Sequence, residues 1–168
     1  MKDLNLFQNA KIMITGHSGF KGSWLTSLLL ELGAEVTGVS KDIPTNPANF
    51  IVLGLKDKII HFEKDINDLN EIKKIIKEVK PDFVFHLAAQ SLVSVSYSDP
   101  IDTIATNVIG TANILESLHR SNHKCIGIMI TSDKCYDNVE WPWGYKETDS
   151  LGGKDIYSGS KGAAELII

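Results

Sequence analysis

The segment KIMITGHSGFKGSWLTSLLLELG, residues 11–33, decides how this chain folds. Its first five residues are β-rich and predict a short buried strand over Lys11–Thr15. From Phe20 onward the pattern turns helical. Trp24, Leu25, Leu28, Leu29 and Leu32 fall on one face of a helix over Phe20–Gly33. Gly33 is the expected C-cap. Between strand and helix stand Gly16, Gly19 and Gly22, in a loop completed by His17, Ser18 and Phe20. A pyrophosphate at a helix N-terminus needs bare backbone N–H groups, and side chains there block its approach. Gly16 is expected to allow the tight turn, Gly19 the close approach, and Gly22 the packing of the helix onto the sheet. Glycines alone would suit any turn. A strand before them and a helix after them predict a dinucleotide site.

The same alternation runs on through the chain. Strands are predicted over Ala34–Ser40, Lys58–Phe62, Asp82–Ala88 and Cys125–Thr131. A helix is predicted over Leu69–Lys80, with Asp68 as N-cap and Pro81 just past its end. A second runs over Pro100–Ser121 and opens on proline. The closing stretch YSGSKGAAELII begins another. Apolar strands alternating with amphipathic helices predict a Rossmann-like, doubly wound α/β fold with a parallel sheet and right-handed crossovers. Ligands bind such sheets beyond the carboxyl ends of the strands. That edge should hold the glycine loop, Asp42, the AAQS segment and the TSDKCY segment.

The bulk numbers fit a soluble domain. The chain has 168 residues, 43% hydrophobic and 23% charged, with net charge −4. This is one domain's worth of chain. No basic patch recurs, which argues against nucleic acid as a partner. Cys125 and Cys135 form neither metal-ligand spacing nor a disulfide framework, so no metal is expected and both read as reduced thiols. The N-terminus lacks the apolar stretch of a signal peptide, and the apolar runs are too short to cross a bilayer. A cytoplasmic protein that does not engage membranes is the expectation.

Asp42 lies 20 residues after Gly22, just past the second predicted strand. A carboxylate there accepts from both ribose hydroxyls and repels a 2′-phosphate, which favours NAD over NADP. Lys41 beside it counts the other way, and a turn residue before Pro44 is the plainer account. Asp65 and Ile66 follow the third strand and could hold the adenine edge, or form an Asx turn ahead of a helix. Tyr157 and Lys161 are four residues apart, on one helix face. A phenol is a poor base at neutral pH, and a neighbouring ammonium makes the phenolate more accessible. The pair suits proton removal from an alcohol or sugar hydroxyl. Ser132, Asp133 and Lys134 stand in a row where the fifth strand should stop.

Taken in order, TGHSGFKG, HLAAQ, TNVIGT, TSDKCY and YSGSK resemble the extended short-chain dehydrogenase/reductases, the NAD-dependent epimerase/dehydratase family. ITGHSGFKGSWL, TSDKCYDN and WPWGYKETDSLGGKDIYSGSKGAAEL are similar to the branch that dehydrates CDP-glucose. The lysine after Ser-Asp is the discriminating letter, because related dehydratases usually carry an acidic pair there. The resemblance implies a lyase that uses NAD on a nucleotide sugar, CDP-glucose, in the supply of deoxysugars for lipopolysaccharide. It implies that Tyr157, helped by Lys161, takes the 4-hydroxyl proton while hydride leaves C4. Loss of the C5 proton and of water from C6 follows, and the hydride returns to C6. Ser132 would bind the C4 oxygen and Asp133 would protonate the departing hydroxyl. Lys134 occupies the place of the usual C5 base, either as that base or as a cation beside the enolate.

On the same resemblance the cofactor would be held by Gly16, His17, Ser18, Gly19, Phe20, Gly22, Asp42, Asp65, Ile66, Ala88, Ala89, Gln90, Tyr157 and Lys161. Asn107 fits the position that holds the active-site helix. His86 reads as a packed core histidine. Trp141 and Trp143 either stack on a ligand or pack their own loop. Gly159 stands where relatives usually carry alanine. The chain stops seven residues past Lys161, whereas relatives continue into a substrate domain. Residues 1–168 are therefore expected to be an incomplete NAD(P)-binding domain without that second domain, and the full-length protein is expected to be a homo-oligomer. Another nucleotide-sugar epimerase or dehydratase, or a non-catalytic NAD-binding module, are the competing readings.

Overall fold

The computed structural model describes residues 3–168. Five parallel strands form one sheet: β1 (Lys11–Thr15), β2 (Glu35–Ser40), β3 (Ile60–Glu63), β4 (Phe83–His86) and β5 (Ile126–Met129). Their order across the sheet is β3-β2-β1-β4-β5. The helices are α1 (Phe20–Glu31), α2 (Asn49–Val52), α3 (Leu69–Val79), α4 (Val93–Ser98), α5 (Pro100–Ile104), α6 (Thr111–His119) and α7 (Ile156–Ile167). This is the doubly wound, Rossmann-like fold that the sequence predicts. The strand order reverses between β1 and β4, which opens the ligand crevice at their carboxyl ends.

β1 lies at the centre, so residues on both its faces are buried. Ile12 and Ile14 pack with Leu29, Val36 and Phe83 on one face. Met13 packs with Val39, Ile72, Ile75, Ile76, Val84 and Ile114 on the other. This alternation is the period of a strand. In α3 the residues Ile72, Ile75 and Ile76 form the buried face, each contributing roughly 2 kcal/mol by leaving water. The predicted N-cap is present too, since the Asp68 carboxylate accepts from the N–H groups of Asn70 and Glu71. Gly33 follows α1 at φ +80°, as a C-terminal glycine should.

Other expectations need correction. The buried face of α1 is Gly22, Ser23, Thr26 and Leu29, while Trp24 and Leu28 are each 55% exposed. Small side chains let α1 approach the glycine loop closely, and that approach outweighs the larger hydrophobic residues. The helix predicted over Pro100–Ser121 is interrupted by a π-helical stretch, Ala105–Gly110, between α5 and α6. Here Gly110 presses on Ile66, whose Cδ1 would lie 2.5 Å from a β-carbon at that position. β1 has its predicted bounds, β2, β4 and β5 are shorter by one or two residues at an end, β3 starts two residues later and ends one later than predicted, and α2 and α4 are additional short helices. No helix among the described residues is long and apolar enough to cross a membrane.

Candidate active site

The parallel register sets the carboxyl ends of β1, β2, β4 and β5 along one edge. Gly16 leaves β1 at φ +73° and donates its N–H to Val39 O at 2.8 Å. A β-carbon on Gly16 would lie 2.7 Å from Ala88 N. Gly22 packs against the loop, not the sheet as expected. Its β-carbon would meet Gly16 O at 2.1 Å and His17 Cα at 2.7 Å. Gly19 differs from both. It has an ordinary φ of −71°, and its β-carbon would meet only Gly16 O, at 3.3 Å. The protein's own packing forbids a side chain at Gly16 and Gly22, and at Gly19 sets only the one tight contact with Gly16 O. Gly19 is also the N-cap of α1, where no side chain caps the helix and no acidic residue stands in the first turn. The geometry fits an anion.

His17 does not point into this cradle. Its ring is fully buried, 2.9 Å from Ser40 Oγ through Nδ1 and 2.8 Å from His61 Nδ1 through Nε2. Burial, then the nearby His61, lowers its pKa to about 4. Only its backbone is left to face a ligand. Ser18 donates its N–H to Ser40 Oγ and its hydroxyl to Asp42 O at 2.6 Å, so it ties the loop to the end of β2. Phe20 is exposed beside the loop. Asp42 is exposed on the crevice side of β2, while Lys41 pairs with Asp102 on α5 at 3.6 Å. Asp65 forms the Asx turn, accepting from Asn67 N at 2.8 Å. Ile66 is a core residue with its side chain packed on Gly110.

Ala88 and Ala89 line the loop after β4, half-buried. The Gln90 side chain serves the protein itself, donating to Leu92 O and Thr103 Oγ1 and accepting from Leu92 N. Asn107 reaches across from the π-helical stretch. It accepts from Gln90 N, donates to Gln90 O, and donates to Ser160 Oγ at 2.9 Å. That last bond fixes α7 one residue before Lys161. Tyr157 and Lys161 are 8% and 6% exposed, with the ammonium 6.0 Å from the centre of the phenol ring. Burial lowers the Lys161 pKa, and no carboxylate pairs with it among the described residues.

The serine turn packs on the same helix. Asp133–Cys135 form a single 3₁₀ turn capped by Ser132, whose Oγ accepts from Lys134 N and donates to Asp133 Oδ1 at 3.0 Å. Cys135 is buried, and its carbonyl accepts from Gly152 N. A β-carbon on Gly162 of α7 would lie 3.3 Å from that same carbonyl. Asp155 caps α7, accepting from Ser158 N and Ser158 Oγ. Its carboxyl is held below the usual range first by the Ser158 N–H and, among smaller causes, by the Lys134 charge. Ser132, Asp133, Lys134, Tyr157 and Lys161 thus belong to one packed unit. Trp141 stacks on Trp143 and leans on Tyr145, so the tryptophans pack their own loop. Both thiols are pushed up by burial, Cys125 to about 11. No metal-binding cluster occurs among the described residues. The braces that sequence reading missed are Ser40, His61, Thr15 and Thr111. A polar residue ending an apolar strand, as Thr15 and Ser40 do, was the available signal.

Residues 13–168 match the GDP-mannose 4,6 dehydratase family. The chain is 48% identical to the CDP-glucose 4,6-dehydratase of Salmonella typhimurium, over 99% of its own length and 46% of the relative's. It therefore spans about half the length of that relative. Among solved structures it is similar to Pal from Bacillus thuringiensis, with TM-score 0.82 and 28% identity over 93% of this chain and 50% of that one. It is also similar to a Thermus thermophilus UDP-glucose 4-epimerase in complex with NAD, with TM-score 0.79 and 27% identity over 92% and 48%.

Proposed function

The chain belongs to the GDP-mannose 4,6 dehydratase family, and from that premise we propose that the full-length protein converts CDP-glucose to its 4-keto-6-deoxy product, with NAD as resident cofactor. One observation carries the reading. The Ser132-Asp133-Lys134 turn packs on the helix that holds Tyr157 and Lys161, in a chain 48% identical to a CDP-glucose 4,6-dehydratase. The glycine cradle supports a dinucleotide, since bare backbone at the uncapped N-terminus of α1 is what a pyrophosphate needs. Asp42, exposed at the end of β2, supports NAD over its 2′-phosphate. NAD, held at the loop of Gly16, Gly19 and Gly22, would supply the hydride chemistry, as acceptor at C4 and donor at C6.

The chain's own groups do the rest. Tyr157 takes the proton from the 4-hydroxyl, and the buried Lys161 supplies the cation beside it. Ser132 now spends its hydroxyl on Asp133 and must turn to reach the C4 oxygen. Asp133, exposed at the start of its turn, gives a proton to the departing 6-hydroxyl. Lys134 acts at C5. It does so either as the base that takes the proton or as a cation that holds the enolate.

The test is turnover by the full-length protein of CDP-glucose against UDP-glucose, dTDP-glucose and GDP-mannose, each followed by mass as loss of one water. The reading expects CDP-glucose to be used in clear preference. Preference for another sugar, or epimerisation without loss of water, overturns it.

A further inference from the structure

Behind the candidate site lies a buried histidine that the chemistry above does not use. His86 ends β4, is 3% exposed, and has both ring nitrogens engaged. Nδ1 is 2.7 Å from Thr15 Oγ1, and Nε2 is 3.0 Å from Thr111 Oγ1. The protons can be assigned by counting. Thr111 donates its one hydroxyl proton to Asn107 O at 2.8 Å, so it can only accept from the ring, and Nε2 carries a proton. Thr15 Oγ1 accepts from Ala88 N at 3.2 Å and then donates to Nδ1. The opposite tautomer would leave the Thr15 proton without an acceptor, and a charged ring would do the same.

The result is one directed chain, from Ala88 N–H through Thr15, His86 and Thr111 to the Asn107 carbonyl. The Asn107 side chain continues it to Ser160 Oγ, which donates to Tyr157 O at 2.7 Å. Gly16 follows Thr15, and Lys161 follows Ser160. We propose that His86, as the neutral ring with its proton on Nε2, is a positioning residue that locks the helix of Tyr157 and Lys161 to the strand ends that carry the glycine loop. The proposal rests on the functional reading above for the roles of Tyr157 and Lys161. The charged group that acts on the ring is Lys161 of α7. With burial, the larger cause, it lowers the His86 pKa to about 4. The groups facing the ring from β1 and α6, Thr15 and Thr111, carry no charge.

The test uses the full-length protein with ¹⁵N-labelled histidine. The His86 ring should show the neutral Nε2–H pattern at pH 7 and keep it to below pH 5. Thr111→Val keeps the side-chain size but removes the acceptor and the bond to Asn107. It should let the neutral Nδ1–H tautomer appear beside the Nε2–H one and lower kcat about tenfold or more, with KM for the sugar nearly unchanged, because a misplaced helix costs rate more than binding. Thr15→Val should act on the same ring from its other side, and should weaken NAD binding measured by calorimetry. A ring protonated on Nδ1 or charged at pH 7 overturns the proposal. So does a Thr111→Val protein whose His86 tautomer pattern and kcat are those of the parent. Absence of turnover in the unsubstituted protein would count against the dehydratase reading alone, since the ring pattern and the NAD affinity still decide the relay.

Discussion

The carbonyl oxygen of Gly16 fills the space where a side chain on Gly22 would begin: a β-carbon there would stand 2.1 Å away. Gly19, between them, would meet the same oxygen at 3.3 Å, a contact that a small shift relieves. The two glycines should therefore fail in different ways. Gly22→Ala overpacks the loop against backbone that cannot yield, and should cost about 1–3 kcal/mol of stability as well as NAD binding. Gly19→Ala should change stability by no more than about 1 kcal/mol, yet raise the NAD dissociation constant about tenfold or more. Thermal unfolding and calorimetric titration of both variants check this. Equal loss of stability in the two would contradict it.

Gly159 lies inside α7, and a β-carbon there would meet nothing within 4 Å. Alanine in that position removes unfolded-chain entropy without a clash. Gly159→Ala should raise stability by about 1 kcal/mol. The midpoint of thermal unfolding should rise by about 2–4 °C, by the scaling for domains of this size. An unchanged or lower midpoint would show that α7 is strained at this residue.

His17 and His86 both have pKa values lowered from 6.5 to about 4, mainly by burial. Each ring is neutral when folded and takes a proton more readily when unfolded. Between these values the unfolded chain binds more protons, so stability rises with pH there. The contribution is complete above pH 6.5 and is lost as pH falls toward 4. At pH 4 the loss should reach several kcal/mol in order of magnitude. Urea unfolding at a series of pH values reads this directly. Stability that is flat from pH 7 to pH 4 would mean the rings are not buried as neutral species.

Much of the scaffold is legible because its signals are local. β1 follows its apolar run, α3 starts where Asp68 can cap it, and α7 starts at the tyrosine segment. Period and cap chemistry are carried by neighbours in sequence. The buried face of α1 is not legible that way. Closeness of approach selects Gly22, Ser23 and Thr26 for the interior and leaves Trp24 outside, and only the loop opposite reveals it. The Ile66 side chain lies in the core for a similar reason, because Gly110 on a distant helix makes room for it. His17 and His86 find partners 44 and 71 residues away respectively, His61 and Thr15. No spacing in the sequence announces such pairs. The candidate catalytic residues were legible as motifs. Their shared packing around α7 was not.

Lys134 separates two steps of the proposed chemistry. In the full-length protein, Tyr157→Phe should abolish oxidation at C4. Lys134→Ala should leave oxidation intact and block elimination, seen as loss of exchange of the C5 proton with solvent. Lys134→Arg keeps the cation and cannot act as a neutral base at working pH. If Lys134 holds the enolate, the arginine protein should retain measurable C5 exchange. An arginine protein as inactive as the alanine one would instead favour proton removal by the amine.

The central claim, a dehydration in which hydride leaves C4 and returns to C6, is tested most directly with CDP-glucose deuterated at C4. The full-length protein with NAD should yield a 4-keto-6-deoxy sugar that has lost one water and carries the deuterium at C6. Product without deuterium at C6, or a sugar recovered intact or epimerised at C4, would contradict it.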